Sequence, residues 1–294
     1  MEIKKVGIIG LGIMGAGIAQ VAAEAGFEVV GLETSREYLN KGVKTIEDAL
    51  VRGVAKGKYD ESYKDAVIKR LKGTMEVAEL SDCGLVIEAV PEILDIKKDI
   101  FKRLDEVCEE KTIFATNTSS FSIAELASCT SRPEKVVGMH FFNPVPIMKL
   151  VEVVRSIVVS RETINTAIDF AKNIKKDHIL VKDYHGFVVN ILLTPYFVEA
   201  IRLWEQGIAS IEDIDNAMKL GTGYPMGPFT LMDMGGLDTL CNAFDNMYRK
   251  YRDKKYAPPP IFEKMVQLGF LGRKSGKGFY DYSTNPPKPT QFDI

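Results

Sequence analysis

The chain has 294 residues, of which 46% are hydrophobic and 27% charged. This length predicts two soluble globular domains rather than a single core. There are 38 Lys and Arg against 40 Asp and Glu, a net charge of −2, so the chain lacks the basic excess that favours nucleic acids or membranes as partners. No apolar run reaches the ~20 residues that cross a bilayer, and a strand pattern begins too early for a signal peptide. We therefore expect a cytoplasmic protein.

The four cysteines are scattered along the chain, at positions 83, 108, 129 and 241. None belongs to a CxxC pair, and none has a neighbouring histidine at the spacing of metal ligands. We expect these thiols to be reduced and structural, and we expect no metal site.

The first part of the chain alternates strand and helix signals, which is the pattern of a parallel sheet with helices on both faces. VGIIG at 6–10 is a continuous apolar run, typical of a strand buried on both sides. Residues 36–72 have helical spacing and many charges, with a break near 55–62, which predicts a two-helix insertion at the sheet edge. Further strands are predicted at 27–33, 84–90, 112–117, 136–142, 150–156 and 178–183, with helices at 13–25 and 162–175.

The last third of the chain contains helical patterns only. Residues 187–206 predict one long apolar helix that Pro195 should kink or split. Ser210 followed by Asp213 resembles a capping box and predicts a helix start, and Gly221 suits the end of that helix. Further helices are predicted at 227–252 and 260–268, followed by a loose tail from residue 285.

These patterns predict the fold class: a Rossmann-type doubly wound α/β sheet followed by an all-helical domain. We place the domain boundary so that residues 1–185 form the nucleotide-binding domain and 186–294 the helical domain. No internal repeat or low-complexity tract interrupts either part.

GLGIMG at 10–15 directly follows the first strand and opens a helix, the context in which GxGxxG indicates a dinucleotide site. Gly10 permits the tight turn, Gly12 lets the backbone approach a pyrophosphate, and Gly15 allows close helix packing. The phosphates would then lie at the positive end of the helix dipole, facing backbone N–H groups.

Glu33 ends the second predicted strand, 18 residues after Gly15. A carboxylate at this point accepts hydrogen bonds from the adenosine ribose and repels a 2′-phosphate, so NAD is the predicted cofactor. Arg36 leaves the strictness of the preference over NADP open, since an arginine could offset part of that repulsion. The alternative is a solvated surface glutamate beside a merely structural glycine turn.

The segment VVGMHFFNPVPIMKLVEVV at 136–154 places His140 in an apolar neighbourhood, twelve residues before Glu152. Hydride transfer to or from an alcohol carbon needs a group that takes or gives the hydroxyl proton near neutral pH, and histidine suits that role. A carboxylate bonded to one ring nitrogen would fix the tautomer and stabilise the charged ring. An isolated histidine is otherwise more often a satisfied core residue.

Several segments together resemble one known family. They are GLGIMGAGIAQVAAEAGFEV, VIEAVPE, NTSSFSIAEL, GMHFFNPVPIMKLVEVV, GFVVN, EDIDNAMKLGTGYPMGPFTLMD and KSGKGFYDY. Over nearly its whole length the chain resembles the 3-hydroxyacyl-CoA dehydrogenase family. The resemblance implies reversible NAD-dependent oxidation of a (S)-3-hydroxyacyl-CoA, of short chain such as 3-hydroxybutyryl-CoA, to the 3-oxoacyl-CoA.

The resemblance also implies catalytic roles. His140 would be the general acid/base and Glu152 its partner, while Asn143 would assist near the nicotinamide and the substrate carbonyl. Ser119 would bind the substrate oxygen, and Asn190 would reach the active site from the helical domain.

Further residues are implied to bind the cofactor or the substrate. Met14 would lie in the glycine turn, and Glu92, Lys97 and Lys274 would line the cofactor together with Ser119 and Asn143. Lys56, on the insertion, matches a position associated with the CoA moiety. As isolated residues, the lysines at 97 and 274 would be surface charges, and the serines at 119 and 120 could simply cap the helix that starts near residue 122.

The chain departs from the family pattern at two positions. His185 stands where the family usually has proline, and Ile191 stands where it usually has arginine. Both positions lie at the domain junction and outside the proposed acid/base set. They leave domain closure and substrate preference open.

The long apolar segment GFVVNILLTPYFVEAIRLW exceeds what one small helical domain would bury, so we expect a homodimer through that domain. Two other functions remain open at this stage. One is an NAD-dependent dehydrogenase of a free hydroxy acid or sugar acid on the same architecture. The other, which the complete acid/base set disfavours, is a non-catalytic nucleotide-binding partner protein.

Overall fold

The structure is a computed structural model that describes residues 3–292. The chain divides into two compact units, the first ending at Phe187 and the second beginning at Val188. The division therefore falls two residues after the boundary placed from the sequence.

The first unit is built on an eight-stranded sheet of order β3-β2-β1-β4-β5-β6-β7-β8. Neighbouring strands are parallel except β6 and β7, which pair antiparallel. The strands are β1 (Lys5–Ile9), β2 (Glu28–Leu32), β3 (Leu71–Thr74), β4 (Leu85–Glu88), β5 (Ile113–Thr116), β6 (Val136–Phe141), β7 (Leu150–Arg155) and β8 (Asp177–Lys182). The helices are α1 (Ile13–Glu24), α2 (Arg36–Ala55), α3 (Glu61–Lys69), α4 (Leu94–Val107), α5 (Ile123–Ala127) and α6 (Arg161–Asn173).

Helices cover both faces of this sheet because its central strands are apolar on both sides. In β4 successive side chains alternate, so that Ile87 joins one buried cluster and Val86 the other. Ile18 of α1 and Phe170 of α6 pack in the first cluster, and Phe101 of α4 in the second. The predicted doubly wound Rossmann-type fold class is confirmed.

The insertion between β2 and β3 consists of α2 and α3. Ser35 caps the start of α2 by accepting from the Tyr38 amide at 3.2 Å, and Asp60 caps α3 by accepting from the Tyr63 amide at 2.7 Å. The Asp60 cap lies within the break predicted at 55–62, because its side-chain acceptor satisfies an N–H group that the start of a second helix leaves free.

The second unit is helical: α7 (Val189–Glu205), α8 (Ile211–Thr222), α9 (Pro228–Gly235), α10 (Leu237–Tyr251) and α11 (Pro260–Gln267), with a two-stranded hairpin of β9 (Tyr280–Asp281) and β10 (Lys288–Pro289). Its core is aromatic. Trp204 and Phe279 have ring centroids 5.7 Å apart, and Phe229 and Phe279 lie at 4.7 Å.

Pro195 lies inside α7, which continues through it as one helix. Three details of the second unit differ from the sequence prediction. The left-handed residue that ends α8 is Gly223, at φ 75°, and not Gly221. The helix predicted over 227–252 is broken at Gly236, whose φ of 90° a helix does not permit.

The third difference concerns the tail, which is packed against the rest of the second unit up to residue 292. β10 pairs with β9, and the Phe292 ring lies 5.1 Å from that of Trp204. Residues 293 and 294, which also belong to the predicted tail, lie outside the described residues. Aromatic packing over a short hairpin is a tertiary contact without a local sequence signal.

Candidate active site

The glycine loop between β1 and α1 has an open side that suits a phosphate group. Gly10 has φ 84°, and a Cβ on Gly15 would lie 1.7 Å from the Gly10 carbonyl oxygen, so both positions require glycine. A Cβ on Gly12 would meet no atom within 4 Å. In the described part of the chain no side chain caps α1, so its first N–H groups remain free for an anion.

Glu33 follows β2 and lies directly beside this loop. Its Oε1 accepts from the Leu11 amide at 2.6 Å, and its Oε2 accepts from the Thr34 amide at 3.2 Å. The carboxylate is therefore held next to the phosphate-binding turn, where an adenosine ribose would reach it. Arg36 is exposed at the first position of α2. These residues fit a dinucleotide of the NAD type.

His140 and Glu152 face each other across the antiparallel strands β6 and β7. The His140 Nδ1 lies 2.7 Å from the Glu152 Oε2, and the glutamate is fully buried. Because the carboxylate accepts the proton on Nδ1, Nε2 remains as the position that can exchange a proton with a substrate. The ring centroids of Phe142 and Phe187 lie 4.7 and 5.4 Å from that of the imidazole, and His140 is only 7% exposed, so the pair lies in a largely apolar surrounding.

Ser119 lies in the loop that follows β5, and the side chain of Glu92 holds this loop through hydrogen bonds. The Glu92 Oε1 accepts from the amides of Ser119 and Ser120, each at 3.1 Å, and also from the Thr118 hydroxyl. The residue that caps α5 is Ser122, which accepts from the Glu125 amide at 3.4 Å. The alternative of Ser119 or Ser120 as this helix cap is therefore wrong.

Lys97 is not the surface charge that an isolated lysine would suggest, because its side chain is only 1% exposed. Its Nζ lies 2.7 Å from the Glu88 Oε1 and 3.1 Å from the Glu92 Oε2. Glu88 also accepts from the Thr116 hydroxyl at 2.7 Å and from the Val90 amide at 2.7 Å. This buried network connects the ends of β4 and β5 to the Ser119 loop.

Sequence reasoning missed two members of the site. Glu88 is the counter-ion of Lys97, and Asn117 accepts at 2.9 Å, through its Oδ1, from the amide of Phe141, the neighbour of His140. Asn117 thus extends the pairing of β5 and β6 beyond the last ladder residue. The only sequence signal for both was their position, at or just after the carboxyl end of a parallel strand.

The remaining first-unit candidates lie at its surface or in its core. Asn143 is exposed in the turn after β6, Lys56 is exposed at the end of α2, and Met14 is half-buried against the core beneath the glycine loop. Asn190 and Lys274 belong to the second unit. Asn190 lies in the first turn of α7, and the Lys274 Nζ lies 2.5 Å from the Asp238 Oδ1.

Residues 3–292 contain neither a metal-binding cluster nor a membrane-spanning helix. No group of three or more His, Cys, Asp or Glu side chains there is placed to hold a metal ion. No helix within the same residues is both long and apolar enough to span a membrane. The four cysteines are free, and burial raises the pKa of Cys83 to about 12 and that of Cys108 to about 11.

The fold and the site define a dinucleotide-binding protein of the dehydrogenase class. The model of the 3-hydroxyacyl-CoA dehydrogenase NAD-binding domain matches residues 5–184, and that of the C-terminal domain of the same family matches residues 186–282. The chain belongs to the 3-hydroxyacyl-CoA dehydrogenase family.

Similar proteins span nearly the full length of the chain. The 3-hydroxybutyryl-CoA dehydrogenase of Clostridioides difficile is 44% identical, over 95% of this chain and 99% of its own. The mitochondrial hydroxyacyl-coenzyme A dehydrogenase of Sus scrofa is 46% identical, over 95% and 91%. The crystal structure of (S)-3-hydroxybutyryl-CoA dehydrogenase PaaH1 from Ralstonia eutropha superposes with a TM-score of 0.91 at 43% identity, over 96% of this chain and 100% of that one.

Proposed function

We propose that this protein is an NAD-dependent dehydrogenase that reversibly oxidises a (S)-3-hydroxyacyl-CoA of short chain, such as 3-hydroxybutyryl-CoA, to the 3-oxoacyl-CoA. The observation that carries the proposal is the contact of 2.7 Å between His140 and Glu152 in an apolar surrounding. Full-length similarity to 3-hydroxybutyryl-CoA dehydrogenases supports the choice of substrate.

In the oxidation direction, His140 takes the C3 hydroxyl proton on Nε2 while C3 loses a hydride. Glu152 stabilises the imidazolium that forms and keeps the ring in the required orientation. When bound, NAD supplies the acceptor for that hydride. Ser119 donates its hydroxyl to the substrate oxygen, and Asn143 and Asn190 assist in holding the reacting carbonyl.

The remaining roles belong to the same proposal and rest on the resemblance to the family. Gly10, Gly12, Met14 and Gly15 form the phosphate-binding turn, and Glu33 binds the adenosine ribose. Other residues would line the cofactor or bind the CoA moiety. They are Glu92, Lys97, Ser119, Asn143 and Lys274 for the cofactor, and Lys56 for CoA.

The assay that tests this function follows NADH absorbance with acetoacetyl-CoA, beside parallel reactions with free acetoacetate and with NADPH. Turnover with the thioester and NADH alone supports both the substrate and the role of Glu33. Turnover of the free acid alone moves the protein to the hydroxy-acid and sugar-acid dehydrogenases. No turnover with NADH still bound favours a non-catalytic nucleotide-binding protein.

We also propose a homodimer formed through the helical unit, in the cytoplasm. Two large apolar side chains of that unit, Leu192 and Leu220, are 67% and 85% exposed, and a second copy of the chain would cover such a surface. Sedimentation at micromolar concentration tests the assembly, and a monomer there contradicts it.

A further inference from the structure

The turn of residues 142–149 joins β6 to β7 and contains Asn143. Most of its side chains are exposed. Inside the turn, the amides of Ile147 and Met148 both donate to the Pro144 carbonyl, at 2.9 and 3.0 Å. The turn connects the two strands of the acid/base pair, so its conformation determines where Asn143 stands relative to that pair.

The side chain of Lys176 binds this turn through two of its carbonyl groups. Lys176 immediately precedes β8, and its side chain reaches under the turn, where Nζ donates to the Val145 carbonyl at 2.5 Å and to the Met148 carbonyl at 2.7 Å. Lys176 is buried. Hydrogen bonds from an ammonium to carbonyl oxygens are stronger than those between neutral groups, most of all when they are shielded from water.

The surroundings of Lys176 disfavour its charged form. Burial lowers the pKa of its ammonium; Glu24 at the end of α1 favours the charged form, and Lys58 after α2 opposes it. A hydrocarbon side chain of similar volume would avoid this desolvation cost. A buried lysine departs from the rule that charged side chains lie at the surface, and such departures are expected mainly at functional positions.

The same turn is also packed against α1, the helix that follows the glycine loop. Val145 is buried, and a Cβ on Gly17 would lie 2.8 Å from the Val145 Cβ. Val145 is therefore fixed twice, by its side chain against α1 and by its carbonyl through Lys176. The turn cannot shift without breaking one of these contacts.

We propose that Lys176 is a positioning residue for the dehydrogenase reaction. Its ammonium holds the 142–149 turn and thereby fixes the position of Asn143 relative to His140. This inference rests on the proposed function. Lys176 itself touches neither substrate nor cofactor, and it acts through the two carbonyl groups that it binds.

The test is a double-mutant cycle with Lys176→Met, Asn143→Ala and the combined variant. Methionine keeps most of the buried stem and removes both hydrogen bonds. We expect Lys176→Met to lower kcat about 10-fold with a smaller change in the KM for NADH. The combined variant should be within about twofold of Asn143→Ala, because the two residues act as one unit. Lys172→Met, an exposed lysine on α6, is the matched control and should behave as wild type.

Multiplying effects in the combined variant would overturn the inference, as would an Asn143→Ala variant of normal activity. Hydrogen exchange of the peptide that covers 142–149 gives a readout that does not depend on turnover. Exchange should be faster in Lys176→Met than in wild type or Lys172→Met. Equal exchange would refute the proposal that Lys176 holds the turn. Failure of the proposed function appears separately, as wild type that does not turn over acetoacetyl-CoA.

Discussion

His140 and Glu152 are separated by eleven residues but meet because an antiparallel pair of strands returns the chain on itself. The glutamate is buried and pairs with Nδ1, which leaves only one ring nitrogen for proton exchange. A histidine arranged in this way contributes to the chemical step and little to the binding of the cofactor.

We therefore predict that His140→Gln lowers kcat by roughly 100-fold or more while the Kd for NADH changes little. Steady-state assays with acetoacetyl-CoA and NADH fluorescence titration measure the two quantities. His178→Gln, on β8, is the matched control and should retain activity. An equal loss of turnover and NADH binding would contradict the role of general acid/base.

Glu33 should govern the choice between NADH and NADPH. Its carboxylate lies beside the glycine loop, held by the Leu11 amide at 2.6 Å, and its negative charge would repel a 2′-phosphate. Glu33→Gln keeps the shape and removes the charge. We expect the ratio of kcat/KM for NADH over NADPH to fall about 10-fold. Glu37→Gln, in the exposed first turn of α2, should leave the ratio unchanged, and an unchanged ratio in Glu33→Gln would count against this role.

Sequence motifs identified the residues with a direct chemical task more readily than the residues that support them. The loop at 10–15 and His140 belong to specific local patterns. Lys97 could not be placed as buried from its own neighbours, because its burial depends on Glu88 from β4 and Glu92 from the following loop. Lys176 likewise gave no signal, since its partners are backbone carbonyls of a distant turn.

Among the secondary-structure elements, those with a periodic apolar pattern were predicted and those that depend on tertiary contacts were missed. β4 and β6 read as buried strands because every residue in them is apolar or small except Glu88 and His140. α4 was not assigned, since its sequence is rich in charges and its buried apolar stripe is narrow, with Phe101 and Leu104 its buried apolar side chains. The four-residue β3 was also missed; it lies at the edge of the sheet, and Lys72 and Gly73 in it are exposed.

The junction of β1 and α1 allows the structural and the binding role of glycine to be separated. A Cβ on Gly12 meets nothing within 4 Å, whereas one on Gly15 would overlap the Gly10 carbonyl. Gly12→Ala should therefore fold with a Tm close to wild type and raise the Kd for NADH about 10-fold or more, because the methyl group occupies the pyrophosphate position.

Gly15→Ala should instead lose both stability and cofactor binding, since α1 must move away from the loop. Circular dichroism melting and NADH fluorescence titration on the two variants separate the effects. A Gly12→Ala protein that binds NADH normally would show that the pyrophosphate does not approach the loop at this point. Ala25→Gly, at the other end of α1, serves for comparison. Gly57→Ala would not, because the φ of 68° at Gly57 would strain a residue with a side chain.

At the scale of the whole molecule, the two units hold their buried charges differently. In the first unit, Glu88 and Lys97 form an ion pair. In the second, Asp233 is buried and accepts from the Phe279 and Tyr280 amides, both at 2.9 Å, and from the Tyr282 hydroxyl at 3.0 Å. It thereby ties α9 to the hairpin segment without a cation among these donors.

Burial raises the pKa of Asp233 to about 6 from 3.8, although its hydrogen bonds oppose the change. The folded chain thus holds a proton that the unfolded chain releases, so this group stabilises the fold at low pH and its contribution is lost as pH rises through about 6. Between pH 4.5 and 7 the loss is about 2 kcal/mol. Asp233→Asn cannot titrate. The free energy of unfolding of wild type minus that of the variant should therefore fall by this amount over that range and stay constant above it.

Urea unfolding of both proteins at several pH values measures this difference, and Asp245→Asn, at a surface ion pair with Arg249, provides the comparison. Subtracting the two curves removes the titration of the other carboxylates, which acts on both proteins alike. Parallel curves for wild type and Asp233→Asn would mean that Asp233 is already ionised at pH 4.5. The three hydrogen bonds would then offset the effect of burial, and the pKa of Asp233 would not be raised by folding.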